Sequence, residues 1–221
     1  MKTILSWSSG KDSAWSLNRL LSDPSIEIVG LLTTVNEAFD RVAMHGVRRN
    51  ILEAQAAAAG LPLHTLSLPW PCSNEVYEQR MGDYIRTQVA AGVEGMAYGD
   101  LFLEDIRDYR VAKLRGTGLT PIFPLWGEPT RELADTMIGG GLVAYVATVD
   151  PNKLPASFAG RVFDRTFLED LPEGVDPCGE NGEFHTCVAA GPMFNRSLEL
   201  RVGDVITRDG FVYADLTLRT P

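Results

Sequence analysis

The sequence predicts an α/β fold, with a parallel sheet covered by helices on both faces and a smaller α+β region after it. Three observations support this prediction. Short apolar runs alternate with helix-period segments over residues 3–123, glycine or proline ends most of these segments, and the C-terminal part changes to alternating strands. Because strands separated by helices of this length require parallel crossovers, helices should cover both faces of the sheet.

The first half supplies five strands and four helices. Strands are predicted where aliphatic and β-branched residues form short runs, at residues 3–7, 26–35, 63–68, 95–98 and 120–123. Helices are predicted where apolar residues recur every three or four positions, at residues 13–21, 47–59, 75–91 and 103–115. In such a sheet the ligand lies beyond the carboxyl ends of the strands, so the loops there should carry the functional residues.

The second half begins with the same rhythm and then departs from it. A helix at 130–138 and a strand at 142–149 precede a stretch punctuated by proline and glycine, residues 151–182. Antiparallel strands are predicted at 184–189, 197–202 and 211–218, and Asp209-Gly210 suits a hairpin turn. We therefore expect two domains, residues 1–126 and residues 127–221.

Composition excludes several classes of protein. The 221 residues carry a formal net charge of −9. This charge argues against a protein whose main function is to bind nucleic acid, because such binding depends on positive side chains that neutralise phosphates. Three cysteines without a CxxC pair indicate reduced thiols. Neither a secretory signal nor an apolar run of membrane-spanning length is evident, so a cytoplasmic protein that does not enter the membrane is expected.

The strongest local signal is a polar loop directly after the first predicted strand. It consists of Ser8, Ser9, Gly10, Lys11, Asp12 and Ser13. A strand, a small-residue loop and a helix start together form an anion site, because the first-turn N–H groups lack intrahelical partners and the helix dipole favours negative charge. The loop is not a Walker A motif. The alternative is an ordinary helix start capped by Asp12 or Ser13, but a lysine there opposes the dipole unless an anion binds.

A second group of polar residues lies further along the chain. Gly99 and Asp100 follow the fourth predicted strand, and Arg107 and Arg110 share one face of the next helix. Carboxylates, an amide, an imidazole and a hydroxyl then cluster in seven residues: Glu180, Asn181, Glu183, His185 and Thr186. Such a cluster can orient a polar substrate, bind a cation or transfer a proton. A solvated turn built on Asn181-Gly182 is the alternative.

Zinc binding is a weaker interpretation of the same segment. Cys178, His185 and Cys187 are three residues of ligand type. Their spacing lacks the short ligand pairs of structural zinc sites, so zinc is disfavoured.

Both motifs resemble known sequences. Ser8 to Ser13 resembles the SGGxDS pyrophosphate loop of the ATP pyrophosphatases, with Ser9 where that superfamily usually has glycine. The segment Gly-Glu-Asn-Gly-Glu-Phe-His-Thr at 179–186, in its order after Gly99-Asp100, resembles the diphthine–ammonia ligase family and its bacterial relatives. The resemblance spans nearly the whole chain and implies a Rossmann-like (HUP-type) sheet.

The resemblance also implies a reaction. Enzymes of this family use ATP to adenylate a carboxylate and then form an amide with ammonia, releasing AMP and pyrophosphate. It implies that ATP, Mg²⁺ and ammonium are used and that the acceptor is a carboxylate, which in the family is a modified histidine of elongation factor two. A homodimer is left open, and no glutaminase module is visible.

The resemblance assigns roles to particular residues. Nucleotide contacts are expected from Ser8, Ser9, Gly10, Lys11, Asp12, Ser13, His45, Gly99 and Asp100. Catalytic roles are expected for Lys11, Glu180, Glu183 and His185, and substrate contacts for Arg107, Arg110, Asn181 and Thr186. Asp12 and Asp100 are the expected Mg²⁺ ligands, since this ion prefers carboxylate oxygens. A quaternary ammonium on the substrate would suit Glu180, Glu183 or the face of Trp126.

Two other functions compete with an amide ligase. A sulfur transferase of the same superfamily acting on tRNA would typically carry paired cysteines and a basic surface, and this chain has neither. A nucleotide-binding module without catalysis would bind ATP without turnover and would give the segment at 179–186 no task.

Overall fold

A computed structural model describes residues 1–38, 41–42 and 46–219. The strands are β1 (Lys2–Ser6), β2 (Glu27–Asn36), β3 (Arg41–Val42), β4 (Leu63–Leu68), β5 (Gly95–Ala97), β6 (Thr120–Ile122), β7 (Val143–Val149), β8 (Phe184–Ala190), β9 (Leu200–Arg208) and β10 (Phe211–Leu218). The helices are α1 (Lys11–Leu21), α2 (Arg49–Ala59), α3 (Asn74–Ala90), α4 (Glu104–Leu114), α5 (Thr130–Gly139) and α6 (Arg165–Glu169), with a 3₁₀ turn at Ala156–Phe158.

The first sheet is parallel apart from one short strand. Its parallel strands lie in the order β4-β2-β1-β5-β6, and β3 pairs antiparallel with the end of β2. Strand β1 is central, and the chain moves from β1 to one side of the sheet and later to the other. The carboxyl end of β1 is therefore the switch point at which such sheets bind ligands. This arrangement confirms the predicted Rossmann-like class.

Helices cover the two faces of this sheet unequally. On one face α1 and α2 bury Leu17, Ile51 and Leu52 completely, in a core shared with the second sheet. On the other face α3 and α4 bury one residue each, Ile85 and Leu114. The hydrophobic core on the second face is therefore the smaller of the two.

The second sheet is antiparallel, in the order β8-β7-β10-β9. Strand β8 reaches the loop after β1, where the Val188 N–H donates to the Ser9 carbonyl over 2.9 Å. The C-terminal residues thus approach the loop that follows β1. The division at residues 126 and 127 stays a prediction.

Several predicted boundaries were wrong. Strand β9 is Leu200–Arg208 rather than 197–202, because its partner β10 holds it in register from Leu200 to Arg208. Helix α1 begins at Lys11, and its N-cap is Gly10 rather than Asp12 or Ser13. The Lys11 N–H finds its acceptor in Thr186 Oγ1 on β8, at 3.0 Å, so the cap comes from a distant strand. Sequence patterns also missed β3, α6 and the 3₁₀ turn.

In the part of the chain that the structure describes, every helix is too short or too polar to cross a bilayer.

Candidate functional site

The loop between β1 and α1 is ordered by its own hydroxyl groups. Ser8 Oγ lies 3.1 Å from Ser13 Oγ and accepts a hydrogen bond from the Gly10 N–H over 3.3 Å. Ser13 Oγ also donates to the Gly10 carbonyl over 3.0 Å. These contacts fix the turn that presents the start of α1. The first-turn N–H groups and the helix dipole make this corner suited to an anion.

Ser9 adopts the backbone conformation of a glycine. Its φ is +72°, in the left-handed region that side chains rarely occupy. The residue is fully buried, and its Oγ has no hydrogen-bond partner among the residues described. Because Ser9 is not in the lining of the adjoining cavity, its side chain does not fill the anion corner.

Gln55 holds the loop from the other side of the core. This fully buried side chain of α2 donates from Nε2 to the Ser9 carbonyl over 3.1 Å and to the Val188 carbonyl over 2.7 Å. Its Oε1 accepts the indole N–H of Trp7 over 3.0 Å. One amide therefore connects β1, the loop and β8. Sequence analysis missed it, although a polar residue on the same helix face as Ile51 and Leu52 is a signal that pattern analysis can detect.

Lys11 points into the protein. It is 2 % exposed, and its Nζ lies 2.9 Å from Asp12 Oδ2 and donates to the Cys178 carbonyl. The ammonium also faces the rings of Phe163 and Phe184, at 5.6 and 5.3 Å. Burial alone would lower the pKa of Lys11, but the negative charge of Asp12 raises it, so the ammonium stays charged.

The segment from Asp176 to Glu183 folds around two buried carboxylates. Asp176 Oδ2 accepts the Glu180 N–H over 2.8 Å, and Glu183 Oε1 accepts the Asp176 N–H and Asn181 Nδ2, each over 3.1 Å. Glu183 is 4 % exposed, and within the described residues its Oε2 meets no hydrogen-bond partner. Gly179, at φ +70°, permits the turn, because a Cβ there would lie 2.8 Å from the Phe184 carbonyl oxygen. The geometry makes Glu183 the centre of the turn. Sequence analysis missed Asp176.

The pKa values of Glu180 and His185 are strongly shifted from their usual ranges. Burial raises the pKa of Glu180 to about 7, despite the hydrogen bond of 2.8 Å that its Oε1 accepts from the Leu101 N–H. Burial and the charge of Lys11 lower the pKa of His185 to about 4. Near neutral pH the imidazole is therefore uncharged, whereas Glu180 is divided between its two protonation states.

Gly99 and Asp100 bring β5 against the loop. A Cβ on Gly99 would lie 3.0 Å from the Asp12 carbonyl carbon and the Ser13 nitrogen, so only glycine fits without displacement. Asp100 Oδ2 accepts from Arg110 Nε over 3.3 Å. The Arg110 guanidinium also lies on the Tyr98 ring, 4.7 Å from its centre, which fixes the direction of this cation.

These elements surround a cavity of about 1000 Å³. The predicted site residues that line it are Ser8, Lys11, Asp12, Ser13, Gly99, Asp100, Arg110, Glu180, His185 and Thr186. A cavity of this size has room for a nucleotide and a second small molecule. Residues from both sheets contribute, so the loop after β1 and the segment before β8 form one site.

The other predicted site residues lie elsewhere. Arg107 stacks on Trp126, 4.7 Å from the ring centre, and is absent from the cavity lining. Asn181 is exposed, and its carbonyl accepts from Lys153 Nζ over 2.7 Å. Ser9, Gly10 and Glu183 also lie outside the lining. His45 lies outside the described residues.

The carboxylates do not form a complete metal site. Among the described residues, no group of three or more side chains of His, Cys, Asp or Glu is arranged to hold a metal ion. Asp12 Oδ1 is buried without a hydrogen-bond partner in that part of the chain and fits a single Mg²⁺ contact. The Asp100 carboxylate is ion paired with Arg110. The residues therefore fit a Mg²⁺ ion that receives most of its oxygen ligands from phosphates and water.

A parallel sheet whose switch point carries a polar loop and a helix start, an arrangement suited to an anion, defines an α/β protein of the phosphate-loop class. Residues 1–119 match the family model for the diphthamide synthase N-terminal domain, and residues 129–213 match that for the C-terminal domain. The chain belongs to the diphthamide synthase family.

Two relatives extend this comparison over the full fold. A diphthine–ammonia ligase of Bos taurus is 24 % identical over 229 residues, covering 94 % of this chain and 85 % of the relative. The Homo sapiens diphthine–ammonia ligase is 23 % identical over 229 residues, with the same coverage.

Proposed function

We propose that this protein is an ATP-dependent amide ligase that adenylates a carboxylate and joins it to ammonia, releasing pyrophosphate and AMP. Its relatives bear the name of such a ligase. The observation that carries the proposal is the shared cavity, in which the anion-binding loop, the Arg110 guanidinium and the Glu180 carboxyl meet. The loop would bind the phosphates, Arg110 would hold the acid, and Glu180 would remove a proton.

The outer phosphates of ATP occupy the loop between β1 and α1. The first-turn N–H groups of α1 after Lys11, with the Ser8 and Ser13 hydroxyls, bind the pyrophosphate that leaves as the acid oxygen attacks the α-phosphorus. Lys11 stays positively charged beneath this corner, and its ammonium contacts the Asp12 carboxylate and the Cys178 carbonyl. Asp12 would hold Mg²⁺, which neutralises phosphate charge when bound.

Arg110 holds the acid and Glu180 serves as the base. A guanidinium has five N–H donors, so Arg110 retains donors for a carboxylate while its Nε meets Asp100. Ammonia attacks the acyl carbon, AMP leaves, and Glu180 takes a proton from the nitrogen as the C–N bond forms. A base with a pKa near 7 suits this task at neutral pH, whereas the lowered pKa of His185 makes it a weak base.

Product analysis with ATP, Mg²⁺, ammonium and a panel of carboxylic acids tests the proposal. Acid-dependent release of pyrophosphate and AMP is expected, and the rate should rise with pH through about 7 as Glu180 loses its proton. Glu180→Gln should lower kcat about 100-fold and remove this pH dependence. Formation of ADP and orthophosphate would contradict the proposed cleavage, and ATP binding without turnover would favour a non-catalytic module.

The identity of the acceptor protein stays a prediction. The relatives' name suggests diphthine as the acceptor. Its attachment to elongation factor two and the formation of a homodimer stay predictions.

A further inference from the structure

Strand β8 of the second sheet supplies the cap of helix α1. The N-cap residue of this helix is Gly10, which has no side chain with which to accept a hydrogen bond. Thr186 Oγ1 instead accepts the Lys11 N–H over 3.0 Å, although the two residues lie 175 positions apart in the chain. Thr186 is buried, and its β-branched side chain has few rotamers, so the hydroxyl is held in place. The start of α1 therefore depends on a strand of the other sheet.

A second contact from β8 lies on the other side of Gly10. The Val188 N–H donates to the Ser9 carbonyl over 2.9 Å. Strand β8 lies at the edge of the second sheet as the structure describes it, so the loop bonds to a backbone group that an edge strand would otherwise expose. Thr186 and Val188 thus fix the residues immediately before and after the glycine.

Lys11 also contacts this part of the chain with its side chain. Its Nζ donates to the carbonyl of Cys178, which lies in the turn that leads into β8. The main chain and the side chain of one residue are therefore both bonded to the segment 178–186. The first-turn N–H groups that follow Lys11 lack partners within the helix and are the groups suited to an anion. A displacement of β8 would move these donors away from the phosphates that they bind.

We propose that Thr186 is a positioning residue for the phosphates of ATP and that β8 is an integral part of the nucleotide site. The inference rests on the proposed function, from which it takes ATP as the ligand of the loop. It assigns Thr186 to the nucleotide, whereas the sequence predicts a contact with the acceptor substrate. The hydroxyl acts through the Lys11 N–H that it accepts. Because ATP and β8 bind the same loop, each should stabilise the contacts of the other.

Titration of the full chain with ATP and Mg²⁺ tests the role of the hydroxyl. Thr186→Val keeps the shape of the side chain but leaves the buried Lys11 N–H without this acceptor, so we expect the Kd for ATP to rise about tenfold. Thr186→Ser restores the acceptor and should bring the Kd within about threefold of the parent value. Thr3→Val is the matched control, because Thr3 is fully buried near the start of β1 and its hydroxyl donates to the Met1 carbonyl. This control should leave the Kd within twofold.

The possible outcomes separate this inference from the proposed function. An unchanged Kd in Thr186→Val, or a Kd in Thr186→Ser as weak as that of Thr186→Val, would overturn the role of the hydroxyl and leave ATP binding by the loop in place. A raised KM for the acid with an unchanged Kd for ATP would return Thr186 to the acceptor substrate. A parent protein that does not bind ATP would refute the proposed function and this inference with it.

Amide hydrogen exchange of the parent protein tests the same connection if Thr186→Val does not fold. Val188 is not among the residues that line the cavity, so ATP should not contact its N–H directly. We expect ATP to slow exchange of the Lys11 and Val188 N–H groups at least about fivefold and to leave exchange in β9 unchanged. Protection of Lys11 without protection of Val188 would show that the loop and β8 respond separately, and would overturn the proposal.

Discussion

The two ends of the cavity are built on opposite principles. At the loop end, buried polar groups are connected through Gln55, Lys11 and Thr186, and contacts between distant segments fix the position of each. Between α3 and α4, apolar side chains of both helices form part of the cavity wall, and the Lys113–Glu78 ion pair lies near solvent. The loop end is therefore preorganised by contacts between distant segments, whereas the wall between α3 and α4 is held mainly by apolar packing.

Removing the Lys11 ammonium should have the largest effect at the loop end. Lys11→Met leaves the Asp12 carboxylate, whose side chain is 25 % exposed, without its buried cation. Because water reaches this carboxylate, we expect a loss of about 3–4 kcal/mol, in the lower part of the range for breaking a buried pair. Urea unfolding measures the loss, with Lys2→Met at the exposed start of β1 as the control. A variant as stable as the parent protein would show that the Lys11 pair contributes little to the rigidity of this end.

Gln55→Leu should be the next most damaging change. The substitution leaves the Trp7 indole N–H and the Ser9 and Val188 carbonyls without the partner that Gln55 supplies, which we expect to cost about 3 kcal/mol. Because the loop loses an anchor, ATP affinity should fall as well. Urea unfolding and ATP titration measure both effects, and Gln79→Leu on the exposed side of α3 is the control. Lost stability with unchanged ATP affinity would limit Gln55 to a structural role.

Some site residues could be predicted from the sequence, and others could not. Several residues that line the cavity could be predicted because their signals are local, a polar loop after a strand and a helix start: Ser8, Lys11, Asp12, Ser13, Gly99 and Asp100. The tasks of Gln55, Asp176 and Thr186 depend on the packing of β8 against the loop, which no local pattern specifies. Arg107 and Arg110 share a helix face by spacing, yet only Arg110 lines the cavity, because Trp126 holds Arg107 aside. The fold class was predictable because hydrophobic periodicity repeats over many residues.

Glu180, which lines the cavity, should make the free energy of unfolding depend on pH. Its pKa rises from 4.5 to about 7 on folding, so between these values the native state binds more protons than the unfolded state. Stability should therefore fall as the pH rises through this window. Glu180→Gln has no charge to bury and should be more stable than the parent at pH 8, by on the order of 2 kcal/mol, with little difference at pH 4. Urea unfolding at the two pH values checks this, and an equal effect at both would exclude charge burial as its cause.

Ser9→Gly should have the smallest effect and the opposite sign from the first two substitutions. Glycine removes the cost of a side chain at φ +72° and a buried hydroxyl that has no partner among the described residues. The greater freedom of glycine in the unfolded chain offsets part of this gain, so a net stabilisation of about 1 kcal/mol is expected. Ser9→Ala removes the hydroxyl but keeps the Cβ, so comparing the two urea midpoints separates the contributions. Because Ser9 lies outside the cavity lining, ATP affinity should stay within twofold. A destabilised Ser9→Gly would mean that the hydroxymethyl group stabilises the loop from within the core.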